Sequence, residues 1–309
     1  MKKIIAIQSN NLKKINIKTD TTLLLALEAQ KRGFKIVWYE TKDLNLIKSK
    51  IIVFGKIIQF FENRKKFFKV VKNIKFDLNN ANFVLIRQNP PFNLDYINST
   101  YYLDYLNSKK IINNPTSVRN VSEKFFSSNF FKYMPKTIFT KNFNEIKIFL
   151  RSNKKIVIKP INGYAGKNIL FLTNKLNKKN IEKYLQKFNH VMVQKYLPKV
   201  KNGDKRVFLI NGKVKGAIRR LPKKGSILSN ISQGGVAYKT SLNSRELKIS
   251  RIVAKKLKNS NIFFAGIDLV GGFLIGDINV TSPTGLPQYR NLTGKNLAVD
   301  FWDELEKLK

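Results

Sequence analysis

Near the C-terminus, GDINVTSPTG (276–285) sets Asp277 and Asn279 two residues apart in an apolar run of Ile and Val. In a strand, side chains at i and i+2 leave the same face. Two hard oxygen donors side by side on a rigid ladder suit a small cation such as Mg²⁺. The plainer reading, a strand entering a turn with both side chains solvated, stays open on this pair alone. Just upstream, NIFFAGIDLVGGFLIGDINV (261–280) predicts a hairpin about Gly271 and Gly272. A two-residue turn there pairs Val270 with Phe273 and sets Asp268 opposite Ile275. Asp268 then shares a face with Asp277 and Asn279, with Asp277 its diagonal neighbour at roughly 7–8 Å. Three such side chains on one patch can hold one or two Mg²⁺ ions, whose octahedra phosphate oxygens complete.

The basic residues sort in the same way. Lys159 closes the apolar strand KKIVIKP (154–160), and NGYAGKN (162–168) follows, a short glycine loop whose backbone N–H groups can face phosphates. Its spacing is not that of a P-loop. Lys124 is expected in a helix after the Pro115 turn. Taken singly, Lys124 and Lys159 each read as surface charges. Arg206 in GDKRVFLI (203–210) and Arg220 in IRRLP (218–222) carry planar guanidinium groups suited to bidentate contact with carboxylate or phosphate.

Composition narrows the chemistry. The chain of 309 residues is 43% hydrophobic and 12% aromatic, enough for two globular domains and a sizeable core. Cysteine is absent, which excludes disulfides, thiolate metal sites and a cysteine nucleophile. The single histidine, His190, is read as structural, and no G-x-S-x-G occurs. No apolar run of about 18 residues appears. The start, MKKIIAIQSNN, has too short an apolar stretch for a signal peptide and reads as a first strand. A soluble, cytoplasmic protein is expected. With 59 Lys and Arg against 19 Asp and Glu, the net charge is +40. A polycation displaces counterions from nucleic acid. Yet the lysines are spread evenly with no basic arm, and the abundance of Lys, Asn, Ile and Phe fits an A- and T-rich codon bias. Nucleic acid is therefore not taken as the main partner, while small anions are attracted by the field.

These residues need elements to hold them. The opening reads as β-α-β: strand KKIIAIQS (2–9), helix TDTTLLLALEAQKRG (19–33) capped by Thr19 or Asp20 and stopped by Gly33, then strand FKIVWYE (34–40). A hairpin-like stretch IIVFGKIIQFFEN (51–63) leads to strand NFVLIRQNPPF (82–92), a helix over 95–108, a short strand KKIINNP (109–115) and a helix from Thr116. No G-x-G-x-x-G follows the first strand, so a dinucleotide fingerprint is missing. From Ser122 the strands lengthen and look antiparallel. LPKKGSILSNISQGGVAY (221–238) reads as a mobile loop. A helix over 244–259, the hairpin above and one C-terminal helix complete the chain. The fold class is α/β, becoming α+β in the C-terminal part: a small parallel-sheet domain over 1–121, then a second domain over 122–309.

The order of these segments resembles the ATP-grasp superfamily, and within it the bacterial glutathione synthetases, over nearly the whole chain. The likeness is carried by LIRQNPPF, SEKFF, IVIKP with its glycine loop, VQKYLP, KNGDKRVFLINGK, GID and INVTSPTG. It implies an ATP-grasp fold over 122–309 with a lid subdomain at about 124–196, and an ATP-dependent carboxylate–amine ligase. The family phosphorylates the terminal carboxylate of γ-glutamylcysteine, and the amine of glycine attacks the acyl phosphate to give glutathione, ADP and phosphate. Carried over, Lys124 and Lys159 hold ATP phosphates under the Gly163 to Gly166 loop. Gln194, Tyr196 and Leu197 line the adenine slot, and Asp204 joins the ATP site. Asp268, Asp277 and Asn279 bind two Mg²⁺ (or Mn²⁺) ions. Arg206 and Arg220 stabilise the acyl phosphate and the intermediate. Arg87 with Ser282, Pro283 and Thr284 meets the peptide and glycine, and 221–238 is a lid that excludes water. The family also implies a homotetramer. This chain departs from the family pattern in having Asp277 where Glu is usual, in the reduced glycine content of GYAG, and in lacking an arginine near Leu228. Two other readings stand beside the first: an ATP-grasp ligase for a different acid or amine, and a degenerate ATP-grasp protein that binds polyanions.

Overall fold

A computed structural model describes residues 3–63, 66–173, 176–222 and 235–308, in which three sheets follow one another along the chain. The first contains β1 (Ile4–Gln8), β2 (Lys35–Tyr39), β3 (Leu44–Ile47), β4 (Lys50–Phe60), β5 (Phe68–Asp77), β6 (Phe83–Ile86) and β7 (Ile111–Ile112). Its order is β3-β4-β2-β1-β6-β7, with β5 added on β4. The parallel pairs β1–β2, β1–β6 and β6–β7 form the expected centre. Between β1 and β2 runs α1 (Thr21–Lys31), started by Asp20, whose carboxylate accepts the Leu23 N–H at 2.8 Å. That bond satisfies one of the amides left free at a helix start.

Residues 51–63 do not turn back on themselves. Residues 51–60 belong to the single long strand β4, and the hairpin is the one β4 makes with β5. Gly55 lies inside that strand, where a Cβ would stand 2.8 Å from the Trp38 carbonyl oxygen of the neighbouring strand. The expected helix over 95–108 is α2 (Leu94–Leu103). After it, α3 (Pro115–Asn120) begins with an Asn114 cap and proline in its first turn, but lasts only six residues. Val121 leaves helical geometry at ψ 74°. Lys124 therefore lies not in that helix but in the turn before a 3-10 stretch, Phe125–Tyr133.

The second sheet, in the order β10-β9-β11-β8, is antiparallel: β8 (Thr137–Thr140), β9 (Ile156–Pro160), β10 (Leu170–Leu172) and β11 (Val191–Lys195). The helices α4 (Phe143–Asn153) and α5 (Lys178–Phe188) cover one face. Ile146, Leu150, Ile181 and Leu185 pack there on Ile156, Ile158, Val191 and Val193, a small core separate from the rest.

The third sheet, in the order β14-β13-β12-β15-β16, is also antiparallel: β12 (Asp204–Ile210), β13 (Lys213–Leu221), β14 (Val236–Lys239), β15 (Phe264–Val270) and β16 (Phe273–Asn279). On it lies α6 (Ser244–Asn259), within the bounds read from sequence and closed at its start by a reciprocal Asn243–Glu246 capping box. The single C-terminal helix expected is two, α7 (Leu286–Thr293) and α8 (Leu297–Glu306), because Gly294 turns the backbone to φ +76°. Through α8 the chain returns to its start: Trp302 Nε1 donates to the Leu25 carbonyl at 2.9 Å. The loop expected to be mobile (221–238) falls for the most part, including Leu228, outside the described residues.

Candidate active site

The β15–β16 hairpin turns at Gly271 (φ +57°) and Gly272 (φ +81°), a backbone that only glycine adopts freely. Val270 pairs with Phe273 as expected, and Leu269 with Leu274. The next pair is Ile267 with Ile278, so Asp268 alone stands against Ile275, Gly276 and Asp277. The expected pairing of Asp268 with Ile275 is thus replaced by a bulge. Gly276 makes it possible at φ +86°, and any Cβ there would run into the Met192 side chain. Bulges bend a strand and re-aim its side chains. Here the bulge brings Asp277 level with Asp268, since the register past it would set the two opposite each other.

Asp277 is the meeting point of two buried lysines. Lys124 Nζ lies 3.3 Å from its Oδ1 and Lys159 Nζ 3.2 Å from its Oδ2. Lys124 also donates to the Gly163 carbonyl, and Lys159 to the Ile275 carbonyl at 2.9 Å. Neither is a surface charge, for they are 3% and 6% exposed. Burial alone would raise the Asp277 carboxyl, but Lys159 and then Lys124 outweigh it and hold it well below the usual carboxylate range. Burial likewise opposes the charge on Lys124, and Glu123 and Asp277 more than restore it.

A second buried network lies alongside. Arg206 pairs across the strands with Asp268, donating from Nε to Oδ1 and from Nη2 to Oδ2 at 2.9 Å. Arg220 faces Asp204, with Nε–Oδ1 at 2.7 Å and Nη2–Oδ2 at 2.8 Å, and lies 2.9 Å from Asp268 Oδ2. Two guanidiniums and two carboxylates thus neutralise one another almost out of water. Burial pushes the Asp268 carboxyl up, and Arg206 with Arg220 pulls it below the ordinary value. For Asp204 burial prevails and the carboxyl is raised, against the pull of Arg220.

Between the second and third sheets opens a cavity of about 120 Å³. Lys124, Lys159, Gly163 and Gly166 line one side, and Asp204, Asp268, Asp277 and Asn279 the other. Gln194, Tyr196 and Leu197, at and just beyond the end of β11, close the rim. The Tyr196 amide already donates to the Lys155 carbonyl at 3.0 Å, which leaves it unable to serve a ligand in this conformation. The donors fit a hard divalent cation: two carboxylates held ionised, and one carboxamide, all facing the cavity. Among the described residues no group of three or more His, Cys, Asp or Glu could hold a metal ion. Phosphate oxygens would have to complete the coordination.

Other predicted residues are not at this cavity. Arg206 and Arg220 do not line it, being taken up by Asp268 and Asp204. Arg87, Ser282, Pro283 and Thr284 gather instead where the third sheet meets the first. Arg87 donates to Thr22 Oγ1 at 3.1 Å and to the Pro283 carbonyl at 3.0 Å, while Ser282 Oγ donates to the Gln88 carbonyl at 2.7 Å. Arg206 Nη1 reaches the Thr284 carbonyl at 3.4 Å. Burial lowers the Arg87 guanidinium to about 10, with Asp20 opposing. His190 is exposed, just before β11. Among the lining residues that the reading of the sequence did not single out, Glu123 is the one carboxylate. A signal existed: it is the single acid between Asp104 and Glu145, placed directly before Lys124.

A parallel-centred sheet joined to two antiparallel sheets that enclose a Lys- and Asp-lined cavity is the architecture of the ATP-grasp fold. Solved structures agree on the fold: D-cycloserine synthetase DcsG aligns with TM-score 0.70 at 14% identity, covering 99% of this chain and 100% of that one. The ATP-grasp ligase PsnB in complex with a minimal precursor aligns with TM-score 0.67 at 13% identity, covering 100% and 99%. Two family models divide the chain, "Prokaryotic glutathione synthetase, N-terminal domain" over residues 3–119 and "Prokaryotic glutathione synthetase, ATP-grasp domain" over 123–294. Similar curated proteins are the glutathione synthetases of Bradyrhizobium diazoefficiens (35% identical, 99% of both chains) and Rhodopseudomonas palustris (34%, 98% of this chain and 97% of that one). That of Buchnera aphidicola subsp. Baizongia pistaciae is 35% identical over 95% of this chain and 92% of its own. The chain belongs to the prokaryotic glutathione synthetase family.

Proposed function

We propose that this chain is an ATP- and divalent-metal-dependent ligase that joins γ-glutamylcysteine to glycine, giving glutathione, ADP and phosphate. The observation that carries the reading is the convergence of Lys124 and Lys159 on Asp277 inside a cavity that Asp268 and Asn279 also line. Both lysines are buried and aimed inward, so the phosphates of ATP can take them over from Asp277 without their being moved out of water. Mg²⁺ or Mn²⁺ ions, two per site, held by Asp268, Asp277 and Asn279 would neutralise the phosphate oxygens as charge develops on them. The shorter arm of Asp277, where the family usually has Glu, is compensated in this reading by the bulge at Gly276.

The glycine loop with Gly163 and Gly166 closes over the phosphates, and Gln194, Tyr196 and Leu197 receive the base. Arg206 and Arg220 reach the acyl phosphate only by exchanging a carboxylate of Asp268 or Asp204 for it; until then they fix Asp268 against the cavity wall. Arg87 with Ser282, Pro283 and Thr284 joins the peptide end of the site to the first sheet. The same reading carries a lid subdomain over about 124–196, a water-excluding loop over 221–238, a homotetramer and a cytoplasmic location.

The test is phosphate release from ATP with Mg²⁺, γ-glutamylcysteine and glycine, each left out in turn. Release that needs both substrates, with glutathione identified by mass spectrometry, is the expected result. Release that needs γ-glutamylcysteine but ignores glycine would point to a different amine. Tight ATP binding with no release would instead favour a degenerate polyanion-binding protein.

A further inference from the structure

Behind the nucleotide cavity lies a second, smaller one. Its walls include Pro90 and Phe92 from the loop after β6, Val121 from the end of α3, Tyr164 from the glycine loop and Thr281 from the loop after β16. Glu123 lines both cavities and is the one charged residue lining the smaller. Its backbone is anchored, since the Ile278 N–H donates to its carbonyl at 3.1 Å, next to Asp277. Its side chain is held much more loosely. Among the described residues its one ion pair is with Lys124 at 3.8 Å, and Lys124 lies closer to Asp277, at 3.3 Å.

Resting on the ligase reading above, we propose that the Glu123 carboxylate is the counter-ion for the ammonium group of the incoming amine, seated in this smaller chamber. Three observations favour an ammonium over other occupants. In a chain of net charge +40, a chamber whose one charged lining group is a carboxylate attracts a cation and repels the phosphates that the neighbouring lysines attract. A metal ion is not what it holds, because no group of three or more acidic or other metal-ligating residues is gathered among the described residues. The chamber measures about 20 Å³, room for roughly one water-sized group, which an ammonium matches. Pro90, Phe92 and Tyr164 stand among its walls, which favours an amine with a small substituent.

The electrostatics agree. Burial pushes the Glu123 carboxyl up, Lys124 opposes, and Asp277 with Asp268 adds to the rise. A cation arriving in the chamber relieves that strain. It does so most when Lys124 has turned to the phosphates of ATP, so the amine is held best once nucleotide is in place.

The experiment compares Glu123→Gln, Glu123→Asp and the unaltered protein in two assays, glycine-dependent product formation and trapping of the acyl phosphate by hydroxylamine. Hydroxylamine is an uncharged nucleophile at neutral pH and needs no counter-ion. Loss of a charge-assisted hydrogen bond predicts that Glu123→Gln raises the KM for glycine about tenfold or more. The KM values for ATP and γ-glutamylcysteine should stay within about twofold, hydroxamate formation should persist, and Glu123→Asp should recover part of the glycine affinity. An unchanged glycine KM overturns the proposal. So does a change in Mg²⁺ or ATP dependence without one, which would assign Glu123 to the nucleotide side. Equal loss of hydroxylamine trapping and glycine use would mean a structural role only. If the unaltered protein releases no phosphate in response to any amine, the ligase reading itself falls and this proposal with it.

Discussion

Two groups of ion pairs in this protein use the same residue types at similar distances and do different things. Where α1 meets α8, Arg32 touches Glu28 at 2.9 Å, Asp303 at 2.7 Å and Glu306 at 2.9 Å, with Asp303 half exposed. Nearby, Lys213 and Lys215 meet Glu304 and Asp300 at 2.9 and 3.1 Å. Around the cavity, Lys124, Lys159, Arg206 and Arg220 are almost wholly buried and meet buried Asp204 and Asp268, and Asp277 with 21% of its side chain exposed, at comparable lengths. Distance does not separate the two groups; water around the cation does, for Arg32, Lys213 and Lys215 keep 19%, 58% and 18% of their side chains exposed against 4–7% for the four cavity cations. Exposed pairs contribute about 0–1 kcal/mol, while removing one member of a buried pair costs about 3–5 kcal/mol, because the other is left charged without a partner. The outer pairs staple the C-terminal helix to the end of α1 and to β13 of the third sheet. The inner ones hold charges poised in a place that a polyanionic ligand with its cations can occupy.

The sharpest way to break this contrast is Asp277→Ala. It strips two buried lysines of their shared partner, and we expect the denaturant midpoint to fall by the equivalent of about 3–5 kcal/mol. Saturable Mg-ATP binding, read by titration calorimetry, should be lost with it. A variant as stable as the parent would mean that the inner pairs are no different from the outer ones.

Acid titration sharpens the contrast further. Hydrogen bonding from Lys213 above all lowers the Glu304 carboxyl from 4.5 to about 2. A depressed carboxylate stabilises the fold fully above its unfolded value, and the contribution drains away as pH falls towards the folded one. Glu304 therefore supplies stability that is complete above about pH 4.5 and lost on the way down to about 2. In Glu304→Gln the slope of unfolding free energy against pH should flatten in that window, with phosphate release at neutral pH unchanged. Asp277 follows the same sign, but its loss begins only below its ordinary 3.8. A slope untouched by Glu304→Gln would show that the outer network does not titrate as drawn.

The smallest effect is expected at Arg32. Arg32→Met should cost about 1 kcal/mol at low salt and clearly less at 1 M, where screening shortens to about 3 Å. Thermal melting at two salt concentrations checks it. A salt-independent cost of several kcal/mol would place Arg32 with the buried group.

Much of the arrangement was legible in the residues. The cap of α1, read as Thr19 or Asp20 and found at Asp20, the bounds of α6 and the glycine turn at 271–272 follow from local rules of capping and turn geometry. The grouping of Lys124, Lys159, Asp268, Asp277 and Asn279 around one cavity was expected from motif order. What the residues did not show was of another kind. The stretch 51–63 was read as hairpin-like, yet Lys50–Phe60 is one strand whose Gly55 lets the Trp38 carbonyl of the neighbouring strand come close. Arg206 and Arg220 suit a phosphate by chemistry, yet are matched to carboxylates on facing strands. Glu123 stands in SEKFF beside Lys124, yet nothing local marked it as lining two cavities.

By itself, then, the sequence determined the fold class, the family and the kinds of groups available: no thiol, hardly an imidazole, and a few carboxylates among many lysines. These depend on residue types and on spacings of a few positions, which chain geometry converts directly into caps, turns and faces. Only the tertiary structure decided which carboxylate each cation meets, that a bulge at Gly276 brings Asp277 level with Asp268, and that Glu123 lines two cavities. Those outcomes depend on register between strands and on burial. Both are set by packing among segments more than a hundred residues apart, such as Lys124 and Lys159 with β16, and no local pattern encodes them.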